Sequence, residues 1–152
     1  MSLSLRPTTE ADFPVLYENQ RDPEGCAMTG FKSREKDAFV VQWRKNLADP
    51  ANLTRTIVVD GNVAGFVSSF LREGVREVCY WIGRSYWGQG VASRALAEFL
   101  KVEARRPLAA RVAKRNPASK RVLEKCGFGT VGEDAWESPS GETVAEDVLE
   151  LK

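Results

Sequence analysis

Apolar and polar residues change period several times along the chain, and each change marks an element. Leu3 and Leu5 alternate with polar neighbours across Ser2–Arg6, the period of a half-buried strand, and Pro7 with Thr8-Thr9 ends it. Phe13, Leu16 and Tyr17 share one side of a helix over Glu10–Asn19, with Thr9 as its cap. Phe39, Val40, Trp43 and Leu47 do the same in a second helix from Ser33 to about Leu47, closed by Asp49-Pro50. Between the two, Arg21–Lys32, with Asp22-Pro23-Glu24-Gly25 and Thr29-Gly30, reads as a loop, and long loops in compact domains often carry function. A meander follows: Thr54–Val59, Val63–Leu71 and Val75–Ile82 are strands, divided by the turn signals Asp60-Gly61 and Glu73-Gly74.

The second half opens on Tyr80–Leu100, where an extended apolar run stops at Gly83 and the helical spacing of Ala92, Leu96, Phe99 and Leu100 begins after Gly88 and Gly90. Beyond Pro107 a short strand, Leu108–Ala113, is parallel to the strand before the helix by the crossover rule. Asn116-Pro117-Ala118-Ser119 caps a helix to about Cys126, and Gly127 supplies its left-handed stop. Phe128–Trp136 and Thr143–Leu151 form a terminal hairpin. That makes seven strands and four helices, without internal repeat or low-complexity linker.

The strand, glycine loop and helix around Gly88 and Gly90 have chemical meaning. A helix start leaves backbone N–H groups without partners and carries about half a positive charge, so it holds a phosphate wherever no side chain blocks the approach. Gly88, Gly90 and the small Ala92 clear that approach; the competing reading is a plain helix start. A Walker loop is excluded because Val91 and Ala92 stand where lysine and a hydroxyl residue belong. A dinucleotide fingerprint fits poorly because Ser93 replaces its third glycine.

Composition narrows the classes. With 152 residues, 43% of them hydrophobic, the chain suits a single domain, 1–152, with a sizeable core. Lys and Arg number 22 against 21 Asp and Glu, a net charge of +1, so a general nucleic-acid surface is not expected. The charge is unevenly spread: Lys101–Lys125 is basic, through Arg105, Arg106, Arg111, Lys114, Arg115, Lys120 and Arg121, and Glu133–Glu150 is acidic. Such a basic run is either a solvated face or a contact for phosphates near the glycine loop. Cys26, Cys79 and Cys126 are odd in number and widely spaced, which with no secretory segment implies reduced thiols, no metal and a cytoplasmic protein. No apolar run approaches the ~20 residues that span a bilayer, so no membrane partner is expected. With no histidine, a Ser-His-Asp triad, a Cys-His dyad and a histidine metal site are all excluded.

Two motifs carry a family resemblance. Tyr80-Trp81-Ile82-Gly83 followed by Trp87-Gly88-Gln89-Gly90-Val91-Ala92 resembles the acyl-CoA pyrophosphate loop of the GNAT N-acyltransferase superfamily, in particular its RimJ/RimL-like protein N-acetyltransferase branch. Trp87 stands where the superfamily usually has Gln or Arg, a departure this branch shares. About 25 residues on, Asn116-x-x-Ser119 with Val122-Leu123-Glu124-Lys125-Cys126-Gly127-Phe128 resembles the family's second motif, although alone it would read as an ordinary helix cap and exit. The order β-α-α-β-β-β-α-β-α-β-β is also that of the GNAT fold. The resemblance therefore implies an α/β (α+β) protein with a mixed, mostly antiparallel sheet of about seven strands and about four helices on its two faces.

It also implies acetyl-CoA as cosubstrate, without a metal, and an amine acceptor, in a monomer or homodimer. The pyrophosphate would lie on Trp87, Gly88, Gln89, Gly90, Val91 and Ala92, and the pantetheine arm on the backbone of Tyr80, Trp81 and Ile82, with Asn116 and Ser119 beside the arm and sulfur. The side chains of Tyr80, Trp81 and Ile82 read as core and sheet-face groups. Attack of an amine on a thioester further needs a route for the ammonium proton and a stabilising contact for the thiolate. Many family members use a tyrosine beyond the second motif for the thiolate, but Tyr17, Tyr80 and Tyr86 are the only tyrosines. Ser119 can donate to the sulfur, or the thiolate can leave unaided, since its pKa lies near 8–9. Glu77, on the face shared with Cys79 and Trp81, is the first choice of base, directly or through water; its alternative is a solvent-facing strand carboxylate paired with Arg76 or Arg72, and Glu137 is its rival. Three functions follow: acetylation of a protein α-amine, acetylation of a small amine, and a non-catalytic acyl-CoA-binding module. The loop Arg21–Lys32 and the helix carrying Trp43 should form the acceptor side.

Overall fold

The computed structural model describes residues 1–152. Strands β1 (Leu3–Pro7), β2 (Leu53–Val59), β3 (Asn62–Arg72), β4 (Val75–Ile82), β5 (Leu108–Ala113), β6 (Gly129–Glu137) and β7 (Thr143–Leu151) form one seven-stranded sheet in the order β1-β2-β3-β4-β5-β7-β6. Every neighbouring pair is antiparallel except β4 and β5, which the crossover helix makes parallel. The helices are α1 (Phe13–Gln20), α2 (Pro23–Thr29), α3 (Lys36–Ala48), α4 (Val91–Val102) and α5 (Pro117–Lys125). No helix is long and apolar enough to cross a membrane, and all three cysteines are free thiols.

The sequence predicts four helices and the structure has five, because α2 lies within the stretch read as a loop. Its seven residues carry no apolar stripe, so periodicity misses it, but its ends are well marked. The Asp22 carboxylate accepts from the Gly25 N–H at 3.1 Å, Pro23 occupies the first turn, and Gly30 closes the helix with φ +79°. Two other boundaries move. A short 3-10 turn, Glu10–Asp12, precedes α1, and α3 begins at Lys36 with Glu35 as its cap rather than at Ser33.

Two cores lie on opposite faces of the sheet. Val91, Ala95, Leu96 and Phe99 of α4 and Leu123 of α5 pack on Val67, Val78, Ile82, Leu108, Ala110 and Leu149. On the other face Phe13 and Leu16 of α1, Phe39 and Trp43 of α3 and Phe66 of β3 make an aromatic cluster, with Trp43 edge-on to Phe66 at 4.8 Å between centroids. The basic and acidic runs meet across the last strands: Arg111 pairs with Asp134, Lys114 with Glu133, Arg115 with Glu142 and Lys120 with Asp147. Four of the nine basic residues of that run are thus paired with the terminal hairpin.

Asp12 fixes the N-terminus. Its buried carboxylate takes a two-pronged bond from Arg6 at 2.8 and 2.6 Å, plus the Thr9 N–H and the Thr56 hydroxyl. Burial opposes its charge, but the Arg6, Thr9 and Thr56 bonds outweigh it and hold the carboxyl below its ordinary value. A depressed folded-state pKa contributes stability above the unfolded value, and that contribution is lost as pH falls through the folded one. Asp12→Asn is therefore expected to lower stability by roughly 2 kcal/mol at neutral pH, discounted for the half-exposed Arg6. Denaturant midpoints for the two proteins should converge in acid below the ordinary carboxylate range; equal midpoints at pH 7 contradict the assignment.

Candidate functional site

The site is a fork in the sheet. β4 pairs with β3 along its whole length from Val75 to Ile82, but with β5 only at Glu77↔Ala109. Beyond that contact the strands part, so the edge of β4 from Val78 to Ile82 has no strand partner on the β5 side. An unpaired strand edge accepts an extended, amide-bearing ligand by main-chain bonding.

The glycine loop closes the same end of the fork. Gly88 and Gly90 have φ of +74° and +77°, a region L-residues rarely adopt, and a Cβ at either position would meet nothing within 4 Å. Above the loop, therefore, is open space. Gly90 is the N-cap of the twelve-residue α4 and no side chain caps it, so the N–H groups of Val91, Ala92 and Ser93 have no intrahelical acceptor. This cradle suits a pyrophosphate. The Trp87 indole N–H donates to the Ile82 carbonyl at 2.8 Å, which braces the loop on the end of β4 and gives physical content to tryptophan at that place. The Gln89 side chain turns away to the Ser85 carbonyl at 2.9 Å, leaving only its backbone for a ligand.

The side chains of β4 alternate across the sheet. Ile82 is buried in the α4 core, and Trp81, on the other face, donates its indole N–H to the Asn19 carbonyl at 3.0 Å and meets Phe31 at 5.4 Å between centroids. Tyr80 reaches under α5, where its hydroxyl lies 2.6 Å from the Ser119 Oγ. Burial pushes the Tyr80 phenol up to about 12, against the Ser119 hydrogen bond that works to lower it. Asn116 caps α5, its side-chain oxygen accepting from the Ser119 N–H at 3.4 Å. Tyr80, Asn116 and Ser119 thus meet at one place.

Glu77 sits at the crotch of the fork, 5% exposed. Its Oε2 accepts from Arg72 at 3.0 Å and Arg111 at 3.5 Å, so the carboxylate ties the β3–β4 hairpin to β5, while Oε1 takes no protein donor. Arg76 goes instead to the Ser69 hydroxyl at 3.4 Å. Glu137, at the end of β6, is exposed.

Sequence reasoning missed Gly65. A Cβ there would collide with the Trp81 carbonyl oxygen, so the glycine permits the close approach of β3 to β4 at Trp81 and Ile82. An isolated glycine inside a strand was the available signal.

Two clefts open on the face of α1 to α3. One, of about 350 Å³, lies between α3 and the sheet; Cys79 is on its floor, and Gln20, Gln42, Asn46, Asn52, Thr54 and Ser68 supply neutral polar groups. Cys79 is open to this cleft, yet the protein packed around it and the Glu77 charge push its thiol up to about 12. The other, of about 510 Å³, lies between α2 and the β6–β7 turn.

Comparison with known proteins agrees with this geometry. The sequence model of the acetyltransferase (GNAT) domain family matches residues 2–129. No curated protein sequence matches the chain. Among solved structures, the spermidine N-acetyltransferase from Vibrio cholerae, in complex with CoA and spermine, superposes with a TM-score of 0.84 at 18% identity, covering 98% of this chain and 94% of that one. The microcin C7 self-immunity acetyltransferase MccE, in complex with acetyl-CoA and AMP, gives 0.82 at 17% identity, covering 98% and 91%. The aminoglycoside acetyltransferase AAC(6')-Ib, in complex with coenzyme A, gives 0.76 at 19%, covering 97% and 94%.

Proposed function

The chain belongs to the GNAT acetyltransferase family, and from that premise we propose that, as an acetyl-CoA-dependent N-acetyltransferase, it acetylates the N-terminal amine of a protein or peptide. Bound acetyl-CoA supplies the acetyl group already activated as a thioester. The observation that carries the acceptor assignment is the lining of the cleft over Cys79, whose only charged groups are Arg34 and Asp49 among neutral amides and hydroxyls. A polyamine or an aminoglycoside is a polycation and calls for carboxylates; a peptide main chain calls for the neutral donors and acceptors present. Tyr80-Trp81-Ile82-Gly83 and the Trp87 brace further support the RimJ/RimL-like branch.

Each residue then has a task. The backbone of Trp87, Gly88, Gln89, Gly90, Val91 and Ala92 receives the pyrophosphate, and the free edge at Tyr80, Trp81 and Ile82 fixes the depth of the pantetheine arm. Asn116 holds the α5 start beside that arm. Glu77, through a water on Oε1, takes the proton the amine loses. The surroundings of Cys79 raise its thiol pKa and so work against its acting as a nucleophile, which favours direct attack in a ternary complex.

Ser119 donates to the departing sulfur, and Tyr80 aims it. The two hydroxyls lie 2.6 Å apart, so the Tyr80 phenol holds the Ser119 Oγ in place at the start of α5. Ser119→Ala is expected to slow turnover about tenfold, the loss of one hydrogen bond to a developing charge, and Tyr80→Phe by a smaller factor, both with acetyl-CoA affinity kept. Equal kcat across pH for parent and Ser119→Ala removes Ser119 from the mechanism. The acceptor assignment is tested by thiol release from acetyl-CoA with peptides bearing a free N-terminus, the same peptides blocked there but carrying lysine, and spermidine. Release with the free N-terminus alone is expected; preference for spermidine overturns it.

A further inference from the structure

We propose that the cavity between α2 and the β6–β7 turn is a carboxylate subsite of the acceptor, so that the amine this enzyme acetylates belongs to a molecule bearing an acidic group. The proposal rests on the acetyl-transfer reading above and adds the acceptor's charge.

Arg21, Lys32 and Arg115 line this cavity against a single carboxylate, Glu142. Lys32 pairs with no carboxylate, whereas Arg21 is matched by Glu18 at 3.1 Å and Arg115 by Glu142 at 2.9 Å. Both of those acids are about half exposed or more, so the pairs are weak and exchange readily for an incoming anion. Arg115 presents a planar fork suited to a carboxylate, and Lys32 adds a mobile point charge. The volume, about 510 Å³, is that of a small-ligand site.

The walls of the cavity are fixed and lead to the fork. At Gly30 a Cβ would meet Val144 at 2.8 Å, Trp136 at 3.2 Å and Arg115 at 3.4 Å, so the end of α2 abuts the terminal hairpin and Arg115 directly. Arg115 also donates to the Met28 carbonyl at 3.4 Å. Phe31, on the same rim, packs on Trp81 of β4, and Arg115 immediately precedes Asn116 at the start of α5. The cationic cavity therefore borders the two elements that flank the thioester. The two cavities share no lining residue but adjoin along the chain: Gln20 and Arg34 line the neutral cleft, and their chain neighbours Arg21 and Ser33 line this one. An amine seated over β4 has its next groups beside Lys32 and Arg115.

The experiment compares kcat/KM, by thiol release, for peptides of one length carrying Asp, Ala or Lys after an N-terminal Ala, with free aspartate as a fourth acceptor. The parent is expected to favour Asp over Lys by about tenfold or more, a preference that shrinks with added salt and collapses in Lys32→Glu. Turnover of the Asp peptide alone identifies a peptide acceptor, and turnover of free aspartate a small one; both support the subsite. An equal Asp-to-Lys ratio in parent and Lys32→Glu, or no preference in the parent, overturns it. If no acceptor releases thiol although acetyl-CoA binds, the transfer reading has failed, and calorimetry of the Asp peptide onto the CoA-bound protein decides the subsite. Binding that Lys32→Glu abolishes supports it, and absence of binding to the parent overturns it.

Discussion

Gly90→Glu is expected to weaken acetyl-CoA binding at least about a hundredfold while leaving the protein folded. The left-handed φ of +77° costs a non-glycine residue roughly 1–2 kcal/mol. A carboxylate about 4 Å from a pyrophosphate adds about 4 kcal/mol of repulsion at an effective dielectric near 20. That repulsion alone exceeds the roughly 2.7 kcal/mol that a hundredfold loss requires, whereas the backbone strain is the same in the free and bound protein and lowers only its stability. Nothing in the protein opposes the new side chain, since a Cβ at Gly90 meets no atom within 4 Å. Gly61 is the control: it has φ +83° and the same open surroundings, but it lies in the β2–β3 turn, so Gly61→Glu carries the strain without the repulsion. Calorimetry should show the affinity lost in the first variant and kept in the second. Unchanged affinity in a folded Gly90→Glu protein contradicts a pyrophosphate on this loop.

Glu77→Gln should lower kcat/KM for a peptide amine by roughly 10²–10⁴, the usual contribution of a general base. A peptide α-amine has a pKa near 8, so part of it is neutral at physiological pH and the carboxylate need only take the remaining proton. A lysine amine, near 10.4, asks more of the same base. The loss should shrink as pH rises, because free amine and hydroxide then replace what Glu77 supplied. The position of Glu77 between Arg72 and Arg111 makes the pH dependence decisive. If the carboxylate only clamps the fork, the substitution lowers acetyl-CoA affinity and thermal stability, and the rate deficit is the same at every pH. Parent rates and an unchanged profile leave Glu137 or water as the base.

Where a local pattern decides an element, the chain could be read directly. The apolar stripe of α4, the Asn116 cap and the Asp60-Gly61 turn each depend on residues within a few positions of one another, and each lies where the sequence puts it. Pairings set by the whole fold could not be read. Glu77 pairs with Arg72, one of the two partners of the alternative reading, but its second partner, Arg111, comes from a strand 34 residues away. The Tyr80–Ser119 contact spans 39 residues and supplies a phenol from β4 where only a tyrosine beyond Asn116 was sought. α2 escaped because its signal is in its caps, Asp22 and Gly30, and not in an apolar period. The fork itself is an absence of pairing beyond Glu77↔Ala109, and a strand's hydrophobic pattern does not record where its neighbour departs.

Initial velocities of thiol release, with acetyl-CoA and an N-terminal peptide varied together, test direct transfer in the fork most directly. Intersecting reciprocal lines are expected, with no release and no acetylated protein when acetyl-CoA is supplied alone. Parallel lines with an acetyl group on Cys79, or binding of acetyl-CoA without release for any amine, would contradict it.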